Sequence, residues 1–166
     1  TNSLIVSALY LVRWLMYGLI YFVILDFSKE FKKKIPYLLV ISSSIILLVG
    51  YLQFIFYQNL RNLYYLGWDE HLYRLFSTFF DPNFAGSFFV LSLIFYLGIL
   101  KVALEKKQKI YSLVLSVLSL LTIIAINLTY SRSALLMLAV SLFTFLILLK
   151  KRRLIFFAVL ILISLV

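Results

Sequence analysis

Four arginines stand apart from the other basic residues of this chain: Arg13, Arg61, Arg74 and Arg132. A guanidinium is a planar fork of donors that grips phosphate or carboxylate bidentately and keeps its charge. Two of the four sit beside signatures of a helix start. Arg74 is followed by Asp81-Pro82-Asn83, in which Asp81 is a good N-cap and proline suits the first turn. Arg132 lies in Thr129-Tyr130-Ser131-Arg132-Ser133, with Thr129 or Ser131 as the cap. A helix start carries partial positive charge and free N–H groups that attract anions. Two such ends, each with an arginine, predict a phosphate pocket; capping plus headgroup anchoring is the competing use. Arg74 also stands four residues after Glu70, a pair worth only about 0.2–0.5 kcal/mol on a helix.

Arg13 interrupts an apolar stretch. At the centre of a bilayer an arginine costs about 2.5–3.5 kcal/mol on insertion scales, so it faces a cavity or pairs with a carboxylate or carbonyl. Other chemistry is sparse. There is no cysteine, so disulfides and thiolate metal sites are excluded. One histidine and six carboxylates make a protein-only metal centre and a metal cofactor unexpected. His71 has no nucleophile beside it to form a catalytic pair. Asn127-Leu128-Thr129 matches a glycosylation sequon but lies too near the apolar runs to be an acceptor.

The elements that must position these residues are membrane spans. The chain of 166 residues is 64% hydrophobic, well above the roughly 45–50% of a soluble domain. A span needs about 20 mostly apolar residues. Six candidates appear, at 4–25, 37–57, 84–104, 111–128, 133–149 and 154–166. The first is too long for a signal-peptide core and lacks a cleavage site. The expected fold class is therefore all-α: a polytopic transmembrane helix bundle of about six spans in one domain. Thr1 at the start and an apolar run still open at Val166 lead us to expect an internal fragment of a longer chain.

Charge gives the expected direction. Lys29, Lys32, Lys33 and Lys34 fall in the first connection; Lys101, Lys106, Lys107 and Lys109 flank the third; Lys150, Lys151, Arg152 and Arg153 form the fifth. These connections share one side, which the positive-inside rule makes cytoplasmic. The N-terminus is then outside, as are the long segment 58–83 and the short turn 129–132. The net charge of +10 is thus a topology device, and no nucleic-acid partner is needed to explain it. Within the long segment, 68–80 reads as an amphipathic helix lying in the outer interface. Leu72, Leu75, Phe76 and Phe79 form its apolar face by spacing, with Glu70, Arg74, Ser77, Thr78 and Asp81 opposite. Tyr57, Tyr64, Tyr65, Trp68 and Tyr73 fit an aromatic belt at that depth.

Arg74 to Asn83, RLFSTFFDPN, followed by FAGSF, resembles the arginine-to-PN segment of the O-antigen ligase and O-antigen polymerase superfamily. Leu128 to Ala134, LTYSRSA, resembles that family's T-x-S-R-small motif. The two occur in the family's order, with a span and a short loop between them, and the likeness covers roughly residues 60–166. The resemblance implies a multi-pass, metal-independent glycosyltransferase of the bacterial cytoplasmic (inner) membrane, acting in surface polysaccharide or lipopolysaccharide biosynthesis. Its donor is a polyprenyl-pyrophosphate-linked glycan, and its acceptor a lipid, glycan or protein. It implies that Arg74 and Arg132 meet the donor pyrophosphate, with Asp81, Asn83 and Ser131 shaping the same outer pocket; Arg13 lies outside the resembling stretch and is expected to support that pocket on its placement in the first span alone. It places the catalytic loop beyond residue 166, and His71 does not match the family's histidine. A transporter or flippase for an anionic or lipid-linked substrate, and a non-catalytic membrane subunit, are the alternatives.

Overall fold

A computed structural model describes residues 2–67 and 69–149. The sixth expected span, 154–166, the basic run 150–153 and Trp68 lie outside the described residues. The described residues are helical, with no strand. They form α1 (Asn2–Asp26), α2 (Lys29–Phe56), α3 (Pro82–Glu105), α4 (Lys109–Leu128) and α5 (Arg132–Leu148), with short 3₁₀ turns at Arg61–Leu66 and Ser77–Phe79. Among the described residues, α2, α3 and α4 are long and apolar enough to cross a membrane, while α5 is shorter.

The chain divides into two compact units, 1–39 and 40–166, with the boundary inside α2. In the first, the connection expected at 26–36 shrinks to Phe27 and Ser28. Ser28 Oγ accepts the Phe31 amide at 3.2 Å, starting α2 early, so the lysines ride on its opening turns. Lys32 Nζ reaches back to donate to Leu25 O at 2.7 Å, capping the carbonyl end of α1. Lys33 pairs with Glu30 at 2.8 Å, though both are exposed. Pro36 lies inside α2 and removes one ladder bond. The described side chains of α1 are exposed except Ile24, which is half-buried.

The second unit is the helical core. Leu47, Leu75, Ala85, Phe89, Val90, Leu93, Ala125, Ile126 and Ala134 are buried together. A second cluster of Val40, Tyr96, Ala103 and Leu115 continues it. Tyr96 Oη donates to Ser43 Oγ at 2.7 Å, a buried bond from α3 to α2. The face of α4 turned inward carries Ser112, Leu115, Ser119, Thr122, Ala125 and Ile126. Small residues in such a row let helix backbones come close where lipid offers no hydrophobic drive. Two hydroxyls of this row bond back to their own helix, Ser119 to Leu115 O at 2.8 Å and Thr122 to Leu118 O at 2.7 Å, while Ser112 Oγ is buried with no hydrogen-bond partner among the described residues.

Both expected helix starts are present. Asp81 Oδ1 accepts the Asn83 and Phe84 amides at 2.6 and 3.3 Å, with Pro82 in the first turn of α3. Ser131 Oγ accepts the Ala134 amide at 3.2 Å and caps α5. The two helices meet at these ends. A Cβ built on Gly86 would stand 2.6 Å from Ala134 Cβ and 3.1 Å from Thr129 Oγ1, so only glycine permits this approach.

Candidate functional site

The amphipathic helix expected over 68–80 does not form across its described residues, 69–80. His71, Tyr73, Ser77 and Phe80 have positive φ of 46, 51, 51 and 55°, and four left-handed residues in ten break any helical run. The backbone instead bonds to distant partners. Leu60 N donates to Glu70 O at 2.8 Å, Tyr73 N to Gln58 O at 2.9 Å and Leu75 N to Leu128 O at 2.9 Å. Glu70, which shares the expected polar face with Arg74 and stands at pairing distance from it in sequence, instead pairs with Arg61 at 3.3 Å near the surface. Spacing alone suggested one apolar face, but Leu75, Phe76 and Ser77 are buried in succession. That pattern arises because the segment is covered on two sides.

One side is the last turns of α2. Gln53, buried at 9% exposure, accepts the Phe76 and Ser77 amides on Oε1 at 2.8 and 3.0 Å. Its Nε2 donates to Tyr57 O at 2.9 Å and Arg74 O at 3.3 Å. Ser77 Oγ donates to Ile46 O at 2.8 Å. Gly50 lies between, where an added Cβ would stand 3.1 Å from Leu75 Cδ2. Irregular backbone of this kind survives among apolar helices only when its polar groups are satisfied by protein.

The other side is the turn between α4 and α5. Arg74 Nε donates to Thr129 O at 2.8 Å and Nη2 to Tyr130 O at 3.2 Å. These are carbonyls at the end of α4, where a helix leaves acceptors open and favours a cation. Arg74 is half-buried. Two of its five N–H donors are occupied, and three remain to meet a further partner.

Beside it the two helix starts are joined. Ser131 Oγ lies 2.8 Å from Asn83 Oδ1 and 2.9 Å from Ser133 Oγ. Thr129 Oγ1 donates to Ile126 O at 2.7 Å and accepts Ser131 N at 3.3 Å. Arg132 is the first residue of α5, exposed, with no hydrogen-bond or ion-pair partner among the described residues. The structure therefore gathers Arg74, Asp81, Asn83, Ser131 and Arg132 at one end of the second unit. Arg13 is carried by the middle of α1, in the first unit. Among the described residues no group of three or more His, Asp or Glu side chains could hold a metal ion. Chemically, the cluster offers two capped helix starts, that of α3 closed by the Asp81 carboxylate and that of α5 by the Ser131 hydroxyl, together with a carboxamide, one tethered guanidinium and one open guanidinium.

Sequence reasoning missed Gln53. The signal was the only carboxamide in the apolar stretch of α2; polar side chains inside such helices act as interhelical glue. It also missed an apolar groove of about 390 Å³ between α3 and α5, lined by Leu91, Phe95, Val140, Thr144, Phe145 and Leu148. The helices touch at Gly86 and Ala134 and leave this space further along.

The fold defines a class: an all-helical membrane protein whose irregular segment is pinned among its helices. No protein-family model, curated protein or solved structure matches the chain.

Proposed function

We propose that the chain is part of an O-antigen ligase- or polymerase-like glycosyltransferase with about six spans and its N-terminus outside. It moves a glycan from a polyprenyl-pyrophosphate donor to an acceptor hydroxyl at the outer face of the bacterial cytoplasmic membrane. The observation that carries this reading is the convergence of the two resembling motifs. Arg74 bonds to Thr129 O and Tyr130 O, and Ser131 contacts Asn83. Segments about 50 residues apart in the chain thus share one end of the bundle, as a site built from both motifs needs.

The chemistry is consistent with that gathering. As the glycosidic bond breaks, its electron pair leaves with the pyrophosphate, which gains negative charge. The open donors of the tethered Arg74 and the guanidinium of Arg132 supply positive charge that stabilises it without a metal. The acceptor hydroxyl attacks the anomeric carbon from the opposite face and gives up its proton to a base. No described residue is assigned that role. The α3–α5 groove is apolar enough to lodge part of the polyprenyl chain.

The test is Arg74→Lys and Arg132→Lys in the intact protein, read as glycan ladders on a gel. A lysine keeps the charge and loses the fork. Both variants are expected to insert normally and to lose transfer. Normal ladders from either would refute the reading and favour an anchoring role, for which a point charge suffices.

A further inference from the structure

We infer that Gln53 is a positioning residue that sets where Arg74 stands. A carboxamide has two donor hydrogens and two acceptor lone pairs, and at Gln53 all four are used. Its orientation is fixed by its partners, because two backbone amides need an oxygen and two backbone carbonyls need a nitrogen. Oε1 takes Phe76 N and Ser77 N, while Nε2 gives to Tyr57 O and Arg74 O. Every one of these four partners lies outside the regular part of α2. The side chain does the work of a short β-ladder for a segment that has no strand beside it.

The consequence reaches the guanidinium through the backbone. Arg74 O is held by Gln53, and the next residue donates Leu75 N to Leu128 O at 2.9 Å. The Arg74 Cα is thereby suspended between the end of α2 and the end of α4, and its side chain reaches Thr129 O and Tyr130 O from that point. Ser77 Oγ to Ile46 O and the close pass over Gly50 complete the seat. Gln53, Gly50 and Ile46 lie three and four residues apart, on one face of α2. No other side chain fills the place. Glutamate lacks the donors when ionised, methionine lacks all four groups, and asparagine is one methylene too short.

Amide hydrogen exchange on the intact protein in lipid nanodiscs tests this directly, over the peptide containing residues 74–79. Gln53→Met removes the acceptor of two buried amides, and their exchange is expected to quicken by about tenfold to a hundredfold. Gln53→Glu keeps two acceptor oxygens, and the same amides are expected to stay protected. Unchanged exchange in Q53M would overturn the inference. A second arm rests on the proposed transfer reaction. It measures the equilibrium dissociation constant of the lipid-linked glycan donor for Q53M, R74A and the double variant, since binding can be read where turnover is lost. If Gln53 acts through Arg74, the two effects are non-additive, and Q53M changes little once Arg74 is gone; additive effects overturn the positioning role. Should Q53M not be recovered folded, Q53E decides: a raised donor Kd with protected amides supports the inference, and a wild-type Kd overturns it. If the unaltered protein moves no lipid-linked glycan, the functional proposal falls while the exchange arm still decides the role of Gln53.

Discussion

Gly86→Ala is the sharpest test of the packing that unites α3 and α5. Two effects oppose each other. Alanine is favoured over glycine in a helix interior by about 1 kcal/mol. Against that, the new Cβ would stand 2.6 Å from Ala134 Cβ and 3.1 Å from Thr129 Oγ1. Ordinary carbon contacts lie near 3.5–4.0 Å, so the helices must separate by roughly 1 Å. Neither neighbour can rotate away: a Cβ is fixed to its backbone, and Thr129 Oγ1 is bonded to Ile126 O at 2.7 Å. Overpacking of this kind costs about 1–3 kcal/mol, so the clash wins and the net loss is about 0–2 kcal/mol from these two terms. Gly98 in the same helix is the control. Nothing lies within 4 Å of a Cβ there, so G98A feels only the helix preference and is expected to be neutral or stabilising. Reversible unfolding in mixed micelles supplies the free energies. Ala134→Gly makes room again, and the G86A/A134G pair should recover the loss as a favourable coupling of about 1 kcal/mol or more. If G86A gains stability as G98A does, or A134G gives no recovery, the close approach is wrong. If the proposed transfer is real, a shift of about 1 Å at these helix starts should lower its rate on the order of a hundredfold.

The arginines separate in the same assay. Arg132 has no partner among the described residues, so R132A should leave stability within about 0.5 kcal/mol, while R74A strips two carbonyls of their donor and should cost about 1–3 kcal/mol. Asp81→Ala removes the cap of α3 and should cost about 1 kcal/mol, whereas Asp81→Asn keeps an acceptor and should cost little. For the proposed orientation, cysteines introduced at positions 64 and 130 are expected to react with an impermeant reagent outside intact cells, and one at 107 is not; labelling at 107 would reverse it.

The long helices were readable because hydropathy and length together dictate them. The ends of α3 and α5 were readable too, because Asp81-Pro82 and Ser131 act locally on amides two or three residues away. Segment 68–80 was not. The spacing of Leu72, Leu75, Phe76 and Phe79 fits one apolar helix face, but periodicity presumes a surface covered from one side only. Here Gln53 and Gly50 cover one side and the Leu128–Tyr130 turn the other, both far away in sequence. Likewise, the Glu70–Arg74 spacing suggested a pair that distant carbonyls and Arg61 outcompeted. The gathering of Arg74 with Ser131 and Asn83 depends on those same long-range bonds, which no local pattern encodes.

The hydroxyl row of α4 has a consequence for how the protein is made. Ser116, Ser119 and Thr122 bond to carbonyls of their own helix, so these hydroxyls are satisfied before α3 arrives. A newly synthesised α4 can partition into lipid alone and find its neighbour later by surface fit. Gln53 has no such independence. Its carboxamide enters the bilayer owing four hydrogen bonds, and the segment that supplies most of them is synthesised some twenty residues later. Until then α2 has reason to linger at the insertion machinery or near water, which makes closure of that segment a natural checkpoint in biogenesis.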